Sequence, residues 1–372
     1  MLIRFMDWII RGLYGDKKEF YMKRELLNLQ IVFIRVVSMI CIVLCHIVCY
    51  YTFIPGHAVL GQVFNVGVYV FLLISGYLYG GKTISNFRKW IIVRWRKIVM
   101  PMLIVVLLDA IILFMIGENI LADSILYFLN LQGLSFVSGA FSVLNPGVAN
   151  LGALWFVTII MLCYCLIPTL QLLRKVINKY SIANKIYVFT IIVLIVMSFV
   201  LSTFANISII YFVVFYIGYV LGNTKFQQQQ IGMRRYLCVC CLAIVAQFLR
   251  LYFRTDIDGT RMYIALVEVT HTVFSIWIFL SAFMIQDFFP IMMKKIVGSK
   301  FFLWLDAQSF YIYLSHGLFC MGTGLNVFRI IDNIWICTLI FILLTFIFSY
   351  AVRKIAMRID QVLINMIYKE DL

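Results

Sequence analysis

The sequence predicts an all-α, polytopic membrane protein with about ten transmembrane helices and both termini on the cytoplasmic side. Three observations carry that expectation. Hydrophobic residues make up 64% of the 372-residue chain and charged residues only 13%, against roughly 45–50% and about 25% in an average soluble domain. Mean hydropathy is +1.02, more apolar surface than a water-facing globule of this size can bury. The apolar residues also gather into runs near the ~20 residues that a helix needs to cross a bilayer core.

Those runs fall at about 30–51, 60–79, 98–116, 151–172, 186–204, 207–222, 236–252, 263–286, 308–327 and 333–352. The sixth and seventh are short. An even number of spans puts both termini on one side, and the basic residues decide which. Of the 31 Lys and Arg, 26 fall in segments that are cytoplasmic if the chain starts inside. Only Arg254, Arg261 and Arg329 fall in external segments, while Arg35 and Arg250 lie within spans. Cytoplasmic loops collect cations in this way. The net charge of +15 is therefore read as topology and contact with the lipid bilayer, and no nucleic-acid partner is expected. The chain divides into a cytoplasmic extension (1–29), a ten-helix membrane domain (30–352) and a cytoplasmic tail (353–372).

The charged first 28 residues do not read as a cleaved signal. The longest external stretch, about 117–150, carries Glu118 and Asp123, no Lys or Arg, and a turn at Asn145-Pro146-Gly147. Its apolar parts, Leu121 to Leu131 and Phe136 to Leu144, are expected to lie at the interface or dip inward. Nearly all of the ten cysteines sit in apolar segments. Cys238 and Cys241 have C-x-x-C spacing, but no second pair or nearby His completes a zinc site, so no metal is expected.

Ionisable groups inside spans are expensive and mark functional positions. Arg35 and His46 are eleven residues apart in the first span, about 16 Å of rise and only about 20° past three whole turns. One stripe thus carries a cation low in the helix and an imidazole high in it, which suits a process with a reactant at each face. Taken singly, Arg35 also fits a snorkelling cation and His46 a hydrogen-bonded structural histidine. His316, beside Ser315 in the ninth span, fits a polar cavity or a packing hydrogen bond. Glu268 and His271 are neighbours on one helix face, as an acid–base couple or a mutually satisfied pair. Asp109 has Arg35 or Arg250 as conceivable partners. The loop after the second span carries Lys82, Arg88, Lys89, Arg94, Arg96 and Lys97, a cluster suited to phosphates or to anionic lipid.

Together these features resemble acyltransferase family three, the integral-membrane acyltransferases of bacterial surface glycans, lipids and antibiotics. The resemblance runs from about Gln30 to Tyr350. Arg35-x10-His46 is similar to the family's first-helix pattern. Gly67-Val-Tyr-Val-Phe-Leu-Leu-Ile-Ser75-Gly76-Tyr77 resembles its second-helix signature, with Leu72 in place of an aromatic residue. Arg94-x-x-Lys97 ahead of Pro101 resembles its Arg-x-x-Arg loop, with Lys97 in place of the second Arg. Leu154-Trp155-Phe156, Gly218-Tyr-Val-Leu-Gly222 and Tyr313-Leu-Ser-His316 resemble later segments.

The resemblance implies transfer of an acyl group, usually acetyl, from cytosolic acyl-CoA to an extracytoplasmic acceptor. It implies a multi-pass protein of the bacterial plasma membrane, with no bound cofactor and acyl-CoA as donor substrate. Arg94, Arg96 and Lys97 would hold the donor's phosphates, with Arg35 further along the cavity. His46 would act as general base or as transient acyl carrier. Ser75, Tyr77, Trp155, His316, Glu268 and His271 would line the channel or meet the acceptor, Trp155 by stacking on a sugar ring. The acceptor expected is a capsular or cell-wall polysaccharide or a glycolipid precursor. The competing reading is a transporter or exporter of polysaccharide or lipid-linked sugar on the same scaffold.

Overall fold

The computed structural model describes residues 16–115, 117, 126–137, 149–223, 232–257, 259–321 and 325–369, and these are built from helices. In chain order the main helices are α1 (Asp16–Ile47), α2 (His57–Phe64), α3 (Gly67–Gly80), α4 (Phe87–Met115), α5 (Trp155–Cys165), α6 (Ile167–Ile177) and α7 (Ala183–Val200). They continue as α8 (Ile210–Asn223), α9 (Met233–Ile257), α10 (Arg261–Phe288), α11 (Pro290–Val297), α12 (Lys300–Cys320) and α13 (Ile334–Lys369). Among the described residues seven spans are long and apolar enough to cross a bilayer, with α2 and α3 counted as one; the pair α5–α6, bent by 43°, makes an eighth.

The other two expected spans differ from a lipid-facing helix for physical reasons. Helix α8 has 14 residues, about 21 Å of rise against a hydrocarbon core of about 30 Å. Ten of those residues are buried in protein, so the helix meets neighbours rather than lipid. Helix α12 spans 300–320 rather than the expected 308–327, and Asp306, Gln308, Ser309, Ser315 and His316 lower its hydropathy. The last four of these are at most 3% exposed, turned inward and away from lipid.

Helix starts follow local chemistry. Asn86 Oδ1 accepts from Lys89 N (2.9 Å), Thr260 Oγ1 from Tyr263 N, and Ser299 Oγ from Phe302 N, each a side chain satisfying an orphan helix donor. The cap at Asn86 starts α4 eleven residues before the expected span, so the basic stretch Arg88 to Lys97 is helical rather than a loop. Helix α13 runs unbroken for 36 residues through the 352/353 boundary.

At the centre, α3 and α8 pack as parallel helices with their backbones in contact. A Cβ on Gly76 would strike Phe215 O, one on Gly80 Tyr219 O, one on Gly218 Leu73 O and one on Gly222 Tyr77 O. Two small-x-x-x-small patterns therefore face each other, the packing that replaces the hydrophobic effect inside a bilayer. Gly67 brings α3 equally close to Ser38 and Ile42 of α1. Helices α7 and α9 are peripheral, exposing apolar residues such as Phe189, Val196, Leu242 and Phe248. Part of the 117–150 stretch packs against the bundle. Gln132 is 2% exposed and its amide donates to Leu154 O at 3.1 Å, while Gly133 N donates to Thr158 Oγ1. Glu118, Asp123 and the Asn145-Pro146-Gly147 turn lie outside the described residues.

Candidate functional site

The stripe on α1 faces α12 at both levels. Arg35 Nε and an Arg35 terminal nitrogen donate to the two Asp306 carboxylate oxygens at 2.8 and 2.6 Å. About three turns further, the His46 ring lies 5.2 Å from that of His316, tilted by 36°. His316 is fully buried. Its Nδ1 contacts Tyr313 O at 2.6 Å, and a carbonyl oxygen only accepts, so Nδ1 carries the proton. Nε2, the bare lone pair, has no protein partner. Tyr313 is itself fixed by donating its hydroxyl to Ala153 O. Above the imidazoles, Tyr50 donates to Cys320 O at 2.6 Å, accepts from Asn326 Nδ2 and stacks on Phe328 at 4.6 Å. That closes the bundle one turn beyond His46.

At the opposite, basic end, α3, the following turn and α4 enclose a cleft of about 400 Å³ lined by Tyr79, Lys82, Trp90, Arg94 and the short polar run Thr83 to Asn86. The Arg94 guanidinium lies over Tyr79 and Trp90, 5.6 and 5.7 Å from the ring centres, and its buried Nε has no hydrogen-bond partner. Lys82 lies 5.5 Å over the same Tyr79 ring. Partial burial, and Arg94 beside it, hold the Lys82 ammonium below the usual lysine range. Arg174 closes the rim, donating to Gly80 O and to Thr83 Oγ1 at 3.1 Å.

Aromatic side chains link this cleft to the imidazoles. Tyr79 meets Tyr164 at 5.5 Å. One and two turns back along the same face of α3 stand Ser75 and Phe71. Ser75 lies beside Tyr164, and Phe71 touches Phe156 at 6.2 Å. Phe156 meets Tyr313 at 5.6 Å, and Tyr313 meets His316 at 5.9 Å.

A basic cleft at one end, an imidazole pair towards the other and an aromatic line between them suit a reaction with reactants on opposite faces. The chain itself matches an acyltransferase-domain family model over residues 28–354. It belongs to acyltransferase family three. No curated protein and no solved structure matches it. This family-three chain is thus a membrane acyltransferase, and its expected site residues sort as follows.

His46, His316, Ser75 and Arg94 fall on the line just described, while Arg35 lies on the seam between α1 and α12, paired with Asp306. Arg96 does not: its Nε and a terminal nitrogen hold Asp360 of α13 at 2.7 and 2.6 Å, because it points a different way from Arg94 on the helix. Lys97 is exposed. Tyr77, expected in the channel, is 1% exposed and packs edge-on against Phe279 and Phe283. Trp155, expected to stack on sugar, instead stacks on Phe136 at 4.4 Å and meets Tyr211 on another side. Arg35 pairs with Asp306 and not with Asp109. Glu268 and His271 do not satisfy each other: His271 Nε2 contacts Gln62 O at 3.0 Å, and Glu268 Oε2 is buried without a partner. They stand apart from the imidazole pair, since α2 and α3 turn Gly61 and Gly67 to α1 but Gln62 and Tyr69 to His271.

Sequence reading missed Asp306 and Trp90 as site residues, and named Lys82 only within the basic cluster and not among the three residues expected to hold the phosphates. Asp306 fell two residues outside the expected span, yet its spacing from His316 nearly repeats that of Arg35 and His46. Among the described residues no cluster of three or more His, Cys, Asp or Glu could hold a metal ion.

Proposed function

We propose that this acyltransferase moves an acyl group, acetyl in the first instance, from cytosolic acyl-CoA to a hydroxyl of an extracytoplasmic carbohydrate. That carbohydrate is a capsular or cell-wall polysaccharide or its lipid-linked precursor. The protein sits in the bacterial plasma membrane with both termini and the basic end inside. The observation that carries the reading is the imidazole pair, joined by an aromatic line to a cleft whose two cations have no carboxylate among its described lining residues.

Acyl-CoA is polyanionic at its nucleotide end and cannot cross the bilayer. Lys82 and Arg94 hold its phosphates, with the Trp90 and Tyr79 rings beside them. The slender pantetheine arm follows the aromatic line past Ser75 and brings the thioester to His46. A neutral imidazole takes the proton from the attacking hydroxyl, the new C–O ester bond forms, the C–S bond breaks and the thiolate recovers the proton. His316, anchored through Nδ1–H, offers Nε2 to the same region and orients the nucleophile or His46. Arg35 and Asp306 position α1 against α12.

The test is consumption of radiolabelled acetyl-CoA by protein in nanodiscs, with the surface glycan analysed for O-acetyl groups with and without the gene. Labelled ester on the glycan supports the reading. Glycan export that requires no acyl-CoA, with no acyl transfer, overturns it.

A further inference from the structure

Helix α11 connects α10 to α12 at the end of the bundle that holds the basic cleft. Phe279 and Phe283, near the end of α10, pack on Tyr77, two residues before Tyr79 of that cleft, and α12 then leads back towards the imidazole pair. The eight residues of α11 rise about 12 Å, too little to cross a bilayer. Local chemistry fixes the element at both ends. Pro290 opens it, where a missing backbone donor is no loss, and Ser299 caps α12 directly after it.

At 100° per residue the side chains of α11 divide into three arcs. Met293 and Val297, each 2% exposed, face Val32 of α1, with Phe33 and Phe302 alongside. Met292 and Ile296 lie on one flank of that buried arc and are 44% and 51% exposed. The remaining arc carries Lys294 and Lys295 with Ile291 between them, all exposed. An apolar flank beside a lysine arc, neither covered by protein, suits a helix lying along a membrane surface with its cations among the headgroups. The start of α12 marks the same level. Lys300 is exposed, Phe301 is 68% exposed, and the half-buried Trp304 stacks on Phe346 of α13, as rings gather where bilayer meets water.

Charge selects the headgroup. From Phe288 to Trp304 the chain has three Lys and no Asp or Glu, and among the described residues none of the three has an ion-pair partner. Of the flanking acids, Asp306 is engaged by Arg35, which leaves Asp287 against three cations.

We propose that α11 and the first turn of α12 form a binding surface for anionic phospholipid, with Lys294, Lys295 and Lys300 meeting the headgroup phosphate and Met292 and Ile296 seated against the acyl chains. The lipid acts on the bundle through the buried arc. Met293 and Val297 hold Val32, and Phe302 stacks on Phe33 at 6.4 Å, just below the Arg35–Asp306 pair. A lipid that draws α11 onto the membrane thereby tightens the α1–α12 seam that carries the two imidazoles.

The test compares the full chain in nanodiscs of phosphatidylcholine alone and of phosphatidylcholine with an equal part of phosphatidylglycerol. The wild type is expected to melt higher in the second. Lys294→Gln, Lys295→Gln and Lys300→Gln together remove at least half of that rise, whereas Lys→Arg at the same three positions keeps it. Lys175→Gln, Lys179→Gln and Lys185→Gln, which delete as many exposed charges near the same end, keep it too. Native mass spectrometry reads the lipid itself, retained about tenfold more weakly by the first triple variant than by the wild type. No rise in the wild type, an equal rise in the wild type and the α11 variant, or an equal loss in the Lys175, Lys179 and Lys185 variant overturns the proposal. Glycerol phosphate added to phosphatidylcholine nanodiscs is expected to change nothing; a rise of the same size would assign the lysines to a soluble phosphate and overturn the lipid. Acyl-CoA enters none of these measurements, so their failure and that of the acyl-transfer reading are seen separately.

Discussion

Asp306 meets Arg35 through both carboxylate oxygens and sits ten residues before His316, much as Arg35 sits eleven before His46. Ten and eleven residues rise about 15 and 16 Å, so two parallel helices, α1 and α12, are held in register by an ion pair at one level and an imidazole contact at the other. The pair is two-point but not fully buried, with Arg35 38% and Asp306 11% exposed. Arg35→Ala is therefore expected to lose about 1–2 kcal/mol of stability, the value of a charged hydrogen bond reduced for solvent screening. The double exchange Arg35→Asp, Asp306→Arg recovers at least half of that loss. A double-mutant cycle on unfolding in detergent reads the coupling.

His46→Ala should lower acyl transfer by about 10²–10⁴-fold, the usual worth of a positioned general base, with membrane insertion and abundance unchanged. His316→Ala should fall in the same direction. If labelled ester accumulates at wild-type rates in both variants, the imidazole pair is not the reacting centre.

Lys82 binds phosphate only as the ammonium. Because its burial and Arg94 lower its proton affinity, the cation is lost as pH rises, starting below the ~10.4 of an ordinary lysine. Acyl-CoA affinity is expected to decline with rising pH earlier than an ordinary lysine would allow. Lys82→Arg flattens that decline, and Lys82→Met binds weakly at every pH. Titration of acyl-CoA across pH 6.5–9.5 decides it.

Arg94 and Arg96 are two residues apart but face different partners. Arg94→Ala is expected to raise the Kd for acyl-CoA about ten- to hundredfold with little change in stability. Arg96→Ala is expected to lower the melting temperature, since Asp360 loses its counter-ion, while Kd moves less than threefold.

Gly218→Val places a branched side chain against the Leu73 backbone, which cannot yield as a side-chain tip can. Overpacking of this kind costs about 1–3 kcal/mol or more. Thermal unfolding of the purified variant should show it, whereas Gly232→Val, with open space around it, should melt like the wild type.

The membrane class and most helix positions were legible because a lipid-facing helix must announce itself in hydropathy. Helix α12 was displaced by eight residues because its polar side chains answer to α1, not to lipid. The Arg35–His46 stripe was legible because helical phase is a local property. Its partners were not: that Arg35 would find Asp306, Arg96 Asp360 and Trp155 Phe136 depends on which helices become neighbours. The Glu268–His271 spacing correctly put both on one face, but only the surrounding helices decide that they open onto a cavity instead of each other.

Helix α13 carries a practical lesson for anyone handling this enzyme. At 36 residues it extends about 54 Å, well past the bilayer, and its Asp360 grips α4 at Arg96, two positions from Arg94. A truncation or reporter fusion at residue 352, where hydropathy says the bundle stops, would sever that strut and slacken the basic cleft without touching a single residue that lines it.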